Sequence, residues 1–269
     1  MSFPSCHGAF ALWRGRGLTV SAGLVVFCIA VTGPAKAQTN LVTNGNFATP
    51  GVTTSFQFGT YNSYTPPQAL SGWTSTGYNF VFLPTSTVAT GVYGNLSLWS
   101  PVSSTPSANG FTNASPTGGN FVGADGAYGQ ANISQTINGL TVGNEYAVSF
   151  AWAGAQQSGY TAVNGTTENW QVTFGTQAQT TATVSVPNKG FSGWINQTFD
   201  FVATNTSETL SFFATGTPSG VPPFALLANV SVTAAPEPAS LAIMLTGVVG
   251  LIVFARQRHG SGALARTTS

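Results

Sequence analysis

The central part of this sequence predicts an all-β fold, a jelly-roll β-sandwich of two packed sheets. Three observations lead there. Short runs of alternating apolar and polar residues recur from about residue 40 onward. Turn dipeptides punctuate them, including Asn44-Gly45, Ser71-Gly72, Asn138-Gly139, Gly143-Asn144, Asn164-Gly165 and Pro187-Asn188. No segment between them carries apolar residues at helical spacing.

The runs justify strands one by one. In residues 145–152, Tyr146, Val148, Phe150 and Trp152 share a face opposite Glu145, Ala147, Ser149 and Ala151. In residues 168–174, Trp170, Val172 and Phe174 oppose Asn169, Gln171 and Thr173. Ile195, Phe199 and Phe201 oppose Asn196, Thr198 and Asp200. Leu210 and Phe212 continue the pattern, and Leu226, Val230 and Val232 close it. Strands with one apolar face each bury it sheet against sheet. Residues 84–120 are rich in Ser, Thr, Gly, Asn and Pro. They read as long loops on the sandwich, with one short strand near residues 95–99. Trp73, Trp152, Trp170 and Trp194 fall on strand-like patterns and are expected to pack.

Charge is sparse, at 5% of the 269 residues, while 42% are hydrophobic. Disorder needs low hydrophobicity as well as little to bury, so a packed domain fits better. Between residues 38 and 235 the one base is Lys189, against Asp125, Glu145, Glu168, Asp200 and Glu208, a net charge of −4. Nucleic acid demands phosphate-neutralising bases, so that partner class is excluded. His7, His259, Cys6 and Cys28 all lie outside this stretch. It therefore holds no disulfide and no Cys/His metal site, and neither metal nor cofactor is expected.

The two ends read as targeting segments. Arg14 and Arg16 precede an apolar run over residues 18–31, followed by Thr32-Gly33-Pro34 and Ala35-Lys36-Ala37. That order describes a secretory signal peptide over residues 1–37, cut between Ala37 and Gln38. The run of about 14 residues is short for a bilayer span. At the other end, Pro236-Glu237-Pro238 precedes an uncharged apolar stretch over residues 240–255, closed by Arg256 and Arg258. Its length is near the lower limit for a transmembrane helix. The arginines place the 260–269 tail on the cytoplasmic side and residues 38–235 outside.

Pro-Glu-Pro, a short apolar helix and a basic cluster, in that order over residues 236–259, resemble the PEP-CTERM sorting signal. The resemblance implies export by a Gram-negative bacterium and cleavage near Pro236-Glu237-Pro238 by an exosortase-type protease. It also implies an association with exopolysaccharide. Signal peptidase and exosortase are then the expected partners, and the cell envelope the destination. The basic cluster departs from the pattern in being interrupted by Gln257 and followed by an extra tail from Gly260 to Ser269.

Residues 40–47 resemble the first strand of galactose-binding-like jelly rolls. Residues 133–146 resemble their central hairpin, and residues 227–232 their last strand. Many such domains are carbohydrate-binding modules. The acidic pair that often holds calcium in them is replaced here by Ala48 and Ala228, so no calcium is expected at that place.

The inventory argues against chemistry. A serine triad needs a His base, and the middle has none. Lys189 reads as part of an exposed turn. Glycoside hydrolysis needs two placed carboxylates, and the spacing places no such pair, although Glu168 with Asp125 stays open. Sugar binding needs aromatic faces and polar groups for hydroxyls. Tyr93, Trp99, Asp125, Tyr128 and Gln130 are the candidate glycan-binding residues, with Asn95 and Tyr160 nearby. Three readings stand: a non-catalytic glycan-binding surface protein, a passive envelope or matrix component, and a glycoside hydrolase.

Overall fold

The computed structural model describes residues 38–235, apart from 85, 87, 104 and 105. The segments read as signal peptide, Pro-Glu-Pro motif, membrane helix and tail lie outside the described residues. Among the described residues no helix is long and apolar enough to cross a membrane.

The strands are β1 (Ser55–Gln57), β2 (Thr74–Ser75), β3 (Asn79–Phe82), β4 (Ala89–Gly91), β5 (Gly94–Leu96), β6 (Phe121–Asp125) and β7 (Ile133–Asn138). They continue with β8 (Glu145–Gln156), β9 (Thr166–Phe174), β10 (Gln177–Thr180), β11 (Val184–Val186), β12 (Ile195–Val202), β13 (Ser207–Thr217) and β14 (Pro223–Ala234). One 3-10 turn, Tyr61–Ser63, is the sole helical element among the described residues. An eight-stranded sheet has the order β12-β8-β14-β6-β3-β1-β4-β5. A six-stranded sheet has the order β10-β9-β13-β7-β2, with β11 also pairing β9. β1 and β4 run parallel, and the other pairs are antiparallel. The chain passes from one sheet to the other at β1–β2, β2–β3, β6–β7, β7–β8, β8–β9, β11–β12, β12–β13 and β13–β14.

The main core lies between the sheets. Val148, Phe150 and Trp152 from β8 meet Trp170, Val172 and Phe174 from β9 and Leu210 and Phe212 from β13. The Phe150 and Phe212 rings meet edge to face at 5.2 Å, a favoured aromatic geometry. The Trp170 indole N–H donates across the sandwich to the Leu226 carbonyl at 3.1 Å. That satisfies a donor which burial would otherwise strand.

A second core covers the outer face of the larger sheet. Phe80, Phe82, Phe121, Ala151, Ala153, Ala155, Phe224 and Leu226 point there, under Leu98, Phe111, Phe191 and Trp194. The loops around residues 97–120 and 187–194 thus act as a third layer. This is why β8 alternates at its start but is buried on both faces from Phe150 onward.

Several sequence expectations change. Residues 40–47 are not a strand: residues 43–46 form a turn, with the Phe47 N–H donating to Asn44 O at 3.0 Å. The segment lies against β14 through Leu41 N–H to Val232 O and Val230 N–H to Gly45 O, both 2.9 Å. Residues 133–146 do not form a hairpin, because β7 and β8 belong to different sheets. The loop region contains β4 and β5; β5 overlaps the strand expected at 95–99 only at its first two residues and ends at Leu96. Leu226 faces the second core while Val230 and Val232 face the first. A β-bulge between Ala228 and Ser231 shifts the register, with Asn229 at φ 53°.

The outer edge of β12 is covered by side chains of the opposite sheet. Gln177 Nε2 donates to Val202 O at 2.6 Å, and Gln179 Nε2 to Asp200 O at 2.8 Å. Covering an edge in this way removes carbonyls that could pair with another chain.

Candidate functional site

A cleft of about 560 Å³ opens at one end of the sandwich. The ends of β6 and β8 and the starts of β3 and β14 converge there. Asp125, the last residue of β6, forms its floor and is 2% exposed. Tyr78 precedes β3, Tyr93 sits at the β4–β5 turn, and Tyr128 follows the turn after Asp125. Tyr160 and Gln157 follow β8, and Asn95 is on β5.

Local sequence fixes Asp125. Its Oδ1 accepts the N–H groups of Ala127 at 2.9 Å and Tyr128 at 3.1 Å, a side-chain-capped turn. Gly126 is required because a Cβ there would lie 2.5 Å from the Gly216 nitrogen. Gln130 Nε2 ties the turn to β13 through Gly126 O at 2.7 Å and Ala214 O at 2.8 Å. Oδ2 receives no hydrogen bond from the described residues and is the oxygen left for the cleft. Burial pushes the Asp125 carboxyl up to about 6, against the pull of the two N–H donors.

The tyrosines form a continuous aromatic wall. Tyr78 stands 5.8 Å from Tyr93 and 5.9 Å from Tyr128, ring centre to ring centre. Tyr61 supports Tyr128 from behind at 5.6 Å, edge to face. The Tyr93 and Tyr128 hydroxyls lie 3.0 Å apart. Hydrogen bonding with Tyr61, then with Tyr93, raises the Tyr128 phenol. Burial, then the neighbouring Asp125 charge, pushes the Tyr78 phenol up to about 12. The Tyr78 and Tyr128 phenols therefore remain neutral donors at neutral pH.

Of the five candidate residues, the structure brings Tyr93, Asp125 and Tyr128 together in this cleft. Asn95 and Tyr160 join them. Trp99 is placed elsewhere: it is 5% exposed, under Lys189, whose Nζ sits 4.7 Å above the ring. Its indole N–H donates to the Tyr160 carbonyl at 3.2 Å, so it braces the cleft loop rather than lining the cleft. Gln130 does not line the cleft either; it holds the Asp125 turn. Lys189 is in a turn at φ 60° but is half-buried rather than exposed, because of its contact with Trp99. Sequence reasoning missed Tyr78 and Gln157. Tyr78 directly precedes the apolar run of β3, and its own pattern reads as core.

The arrangement presents aromatic surface, a buried acid and two amides, Asn95 and Gln157. Such a set can stack against the CH face of a sugar and bond its hydroxyls. Among the described residues, no His, Lys, Arg or second carboxylate lines it. Glu168 lies in the interior, its Oε2 against the Cα side of Gly154. Burial pushes it up to about 8. Glu208 Oε1 is occupied by Thr204 N–H at 2.6 Å and Asn205 N–H at 3.0 Å. The Asp125–Glu168 pairing left open by the sequence is therefore not formed in the cleft.

No protein-family model matches the chain, and no curated protein matches it. Among solved structures it is similar to a cyclase from Fischerella sp. TAU in complex with 4-(1H-indol-3-yl)butan-2-one. Identity is 15% over 74% of this chain and 99% of that one, with a TM-score of 0.43. It is also similar to TmCBM61 in complex with β-1,4-galactotriose, at 17% identity over 44% of this chain and 72% of that one, TM-score 0.28. A third similar structure is described as CBM4, at 16% identity over 52% of this chain and 87% of that one, TM-score 0.27.

Proposed function

We propose that this chain is an exported bacterial surface protein that binds extracellular polysaccharide non-catalytically through the tyrosine cleft. The observation that carries the reading is the wall of Tyr78, Tyr93 and Tyr128 beside the cleft-facing oxygen of Asp125. Aromatic faces and a few fixed polar groups are what sugar recognition uses. Acid–base hydrolysis uses two carboxyls across a substrate, and this cleft contains one.

Export and sorting rest on the sequence of the two ends. In this proposal, signal peptidase cuts after Ala37. An exosortase-type protease acts near Pro236-Glu237-Pro238, and the 240–255 helix holds the precursor in the inner membrane with Arg256 and Arg258 inside. The mature protein resides at the envelope or outside the cell.

A glycan array probed with the chain, followed by a reducing-sugar assay on each bound glycan, tests the reading. Binding without release of reducing ends is the expected result. Release of reducing ends would make the protein a hydrolase, and absence of any bound glycan would leave a passive envelope component.

A further inference from the structure

The cleft has a negative polarity that a neutral sugar can meet with hydroxyl donors but not with charge. Among the described residues its ionisable lining consists of one acid and four phenols, Asp125 with Tyr78, Tyr93, Tyr128 and Tyr160, and no base. Asp125 is 2% exposed, yet Oδ2 has no donor among the described residues. Tyr93, Tyr128 and Tyr160 are 57%, 46% and 44% exposed, so ring surface is open to a ligand. The electron-rich face of an aromatic ring attracts a cation within about 6 Å of its centre. The distances of 5.8, 5.9 and 6.2 Å among Tyr78, Tyr93 and Tyr128 set the rings close enough for one cationic group to touch more than one of them.

The nearest base in sequence terms, Lys189, is engaged over Trp99 and does not line the cleft. Nothing positive among the described residues therefore neutralises Asp125. A protonated primary amine supplies three donors and a charge. It would satisfy the free carboxylate oxygen while its carbon skeleton lies on the rings.

We infer that the cleft selects a saccharide bearing a protonated amine, such as a de-N-acetylated hexosamine unit of an exopolysaccharide. This rests on the glycan-binding reading and narrows it to a ligand class. An anionic sugar is disfavoured by the same acid, and an acetamido group cannot provide the charge.

The test compares chitosan hexamer with chitin hexamer, equal in length and linkage, by titration calorimetry against the full chain. A third ligand, the N,N,N-trimethylated hexamer, carries its charge at every pH. The chitosan hexamer is expected to bind at least about tenfold more tightly than the chitin hexamer, a difference of about 1.4 kcal/mol. Asp125→Asn, which keeps an acceptor for the Ala127 and Tyr128 N–H groups, is expected to erase that preference and leave chitin binding in place. Affinity for the trimethylated hexamer should fall as pH drops through the Asp125 titration, because protonation removes the negative charge that faces the cation. Equal binding of the two hexamers overturns the inference while leaving a glycan-binding protein. So does a preference that survives in Asp125→Asn, which would assign it to the overall negative charge. Binding of neither hexamer, with a neutral glycan bound on the array, also overturns the inference alone; failure of every glycan removes the underlying reading as well.

Discussion

The hydroxyl of Tyr93 lies 3.0 Å from that of Tyr128, joining the tip of the β4–β5 turn to the loop that Asp125 caps. Two elements from distant parts of the chain thus share one wall of the cleft. The β4–β5 pair is short and lies at the sheet edge, where local opening is easiest. Tyr93→Phe removes the hydroxyl and keeps the ring. Amide hydrogen exchange at residues 89–96 is expected to speed up several-fold, with the melting temperature nearly unchanged.

Stability should fall as pH rises. Asp125 is raised to about 6 and Glu168 to about 8, both by burial. The folded state therefore holds protons that the unfolded chain has already released, between the ordinary carboxyl range and those values. With more protons bound in the native state, unfolding free energy decreases with pH across that window. Its full value is present below the unfolded carboxyl pKa. It is lost through about 6 for Asp125 and about 8 for Glu168. Each pKa unit is worth about 1.4 kcal/mol. Denaturant melts at pH 5 and pH 8.5 check this. Glu168→Gln should flatten most of the slope, and an unchanged slope in that variant would show that Glu168 is not its source.

The loop layer should matter as much as the sandwich core. Phe121 is fully buried, with its ring stacked on Phe82 at 5.1 Å beneath Phe111 and Trp194. Phe121→Ala is expected to cost about 3–5 kcal/mol and to open residues 97–120 to proteolysis. Val163→Ala, at an 82% exposed position, should change neither. Urea melts and limited trypsin-independent proteolysis, for example with thermolysin, measure both.

Gln177 and Gln179 occupy carbonyls along the free side of β12. The double change to Ala uncovers that edge, a template for strand pairing between chains. Light scattering over days is expected to detect slow self-association of the variant, while the parent chain stays unchanged.

Much of the architecture is visible in residue patterns, and the exceptions have physical causes. Alternation in residues 145–152, 168–174 and 195–201 marks strands because one face of each meets the other sheet. It says nothing of which strand pairs with which, so β7 and β8 look like a hairpin although they lie in different sheets. The Asn229 bulge reverses the facing of Leu226 relative to Val230, and a single extra residue leaves no mark in composition. Trp99 looks free for ligand because its segment is irregular, but irregular backbone here covers a second core. Tyr93, Asp125 and Tyr128 were legible as aromatic and acidic groups beside turns. Tyr78 was hidden because a residue between a glycine turn and an apolar strand reads as packing. Its ring does pack on Phe80, at 4.7 Å, while its edge meets the cleft.

The central claim is that the tyrosine wall holds a glycan. Its most direct measurement is a calorimetric titration of the strongest array-selected glycan into the chain and into a Tyr93→Ala/Tyr128→Ala double variant of equal melting temperature. Loss of two stacking rings should weaken binding at least about tenfold, roughly 1.4 kcal/mol. Unaltered affinity in the double variant would place the ligand elsewhere and contradict the account.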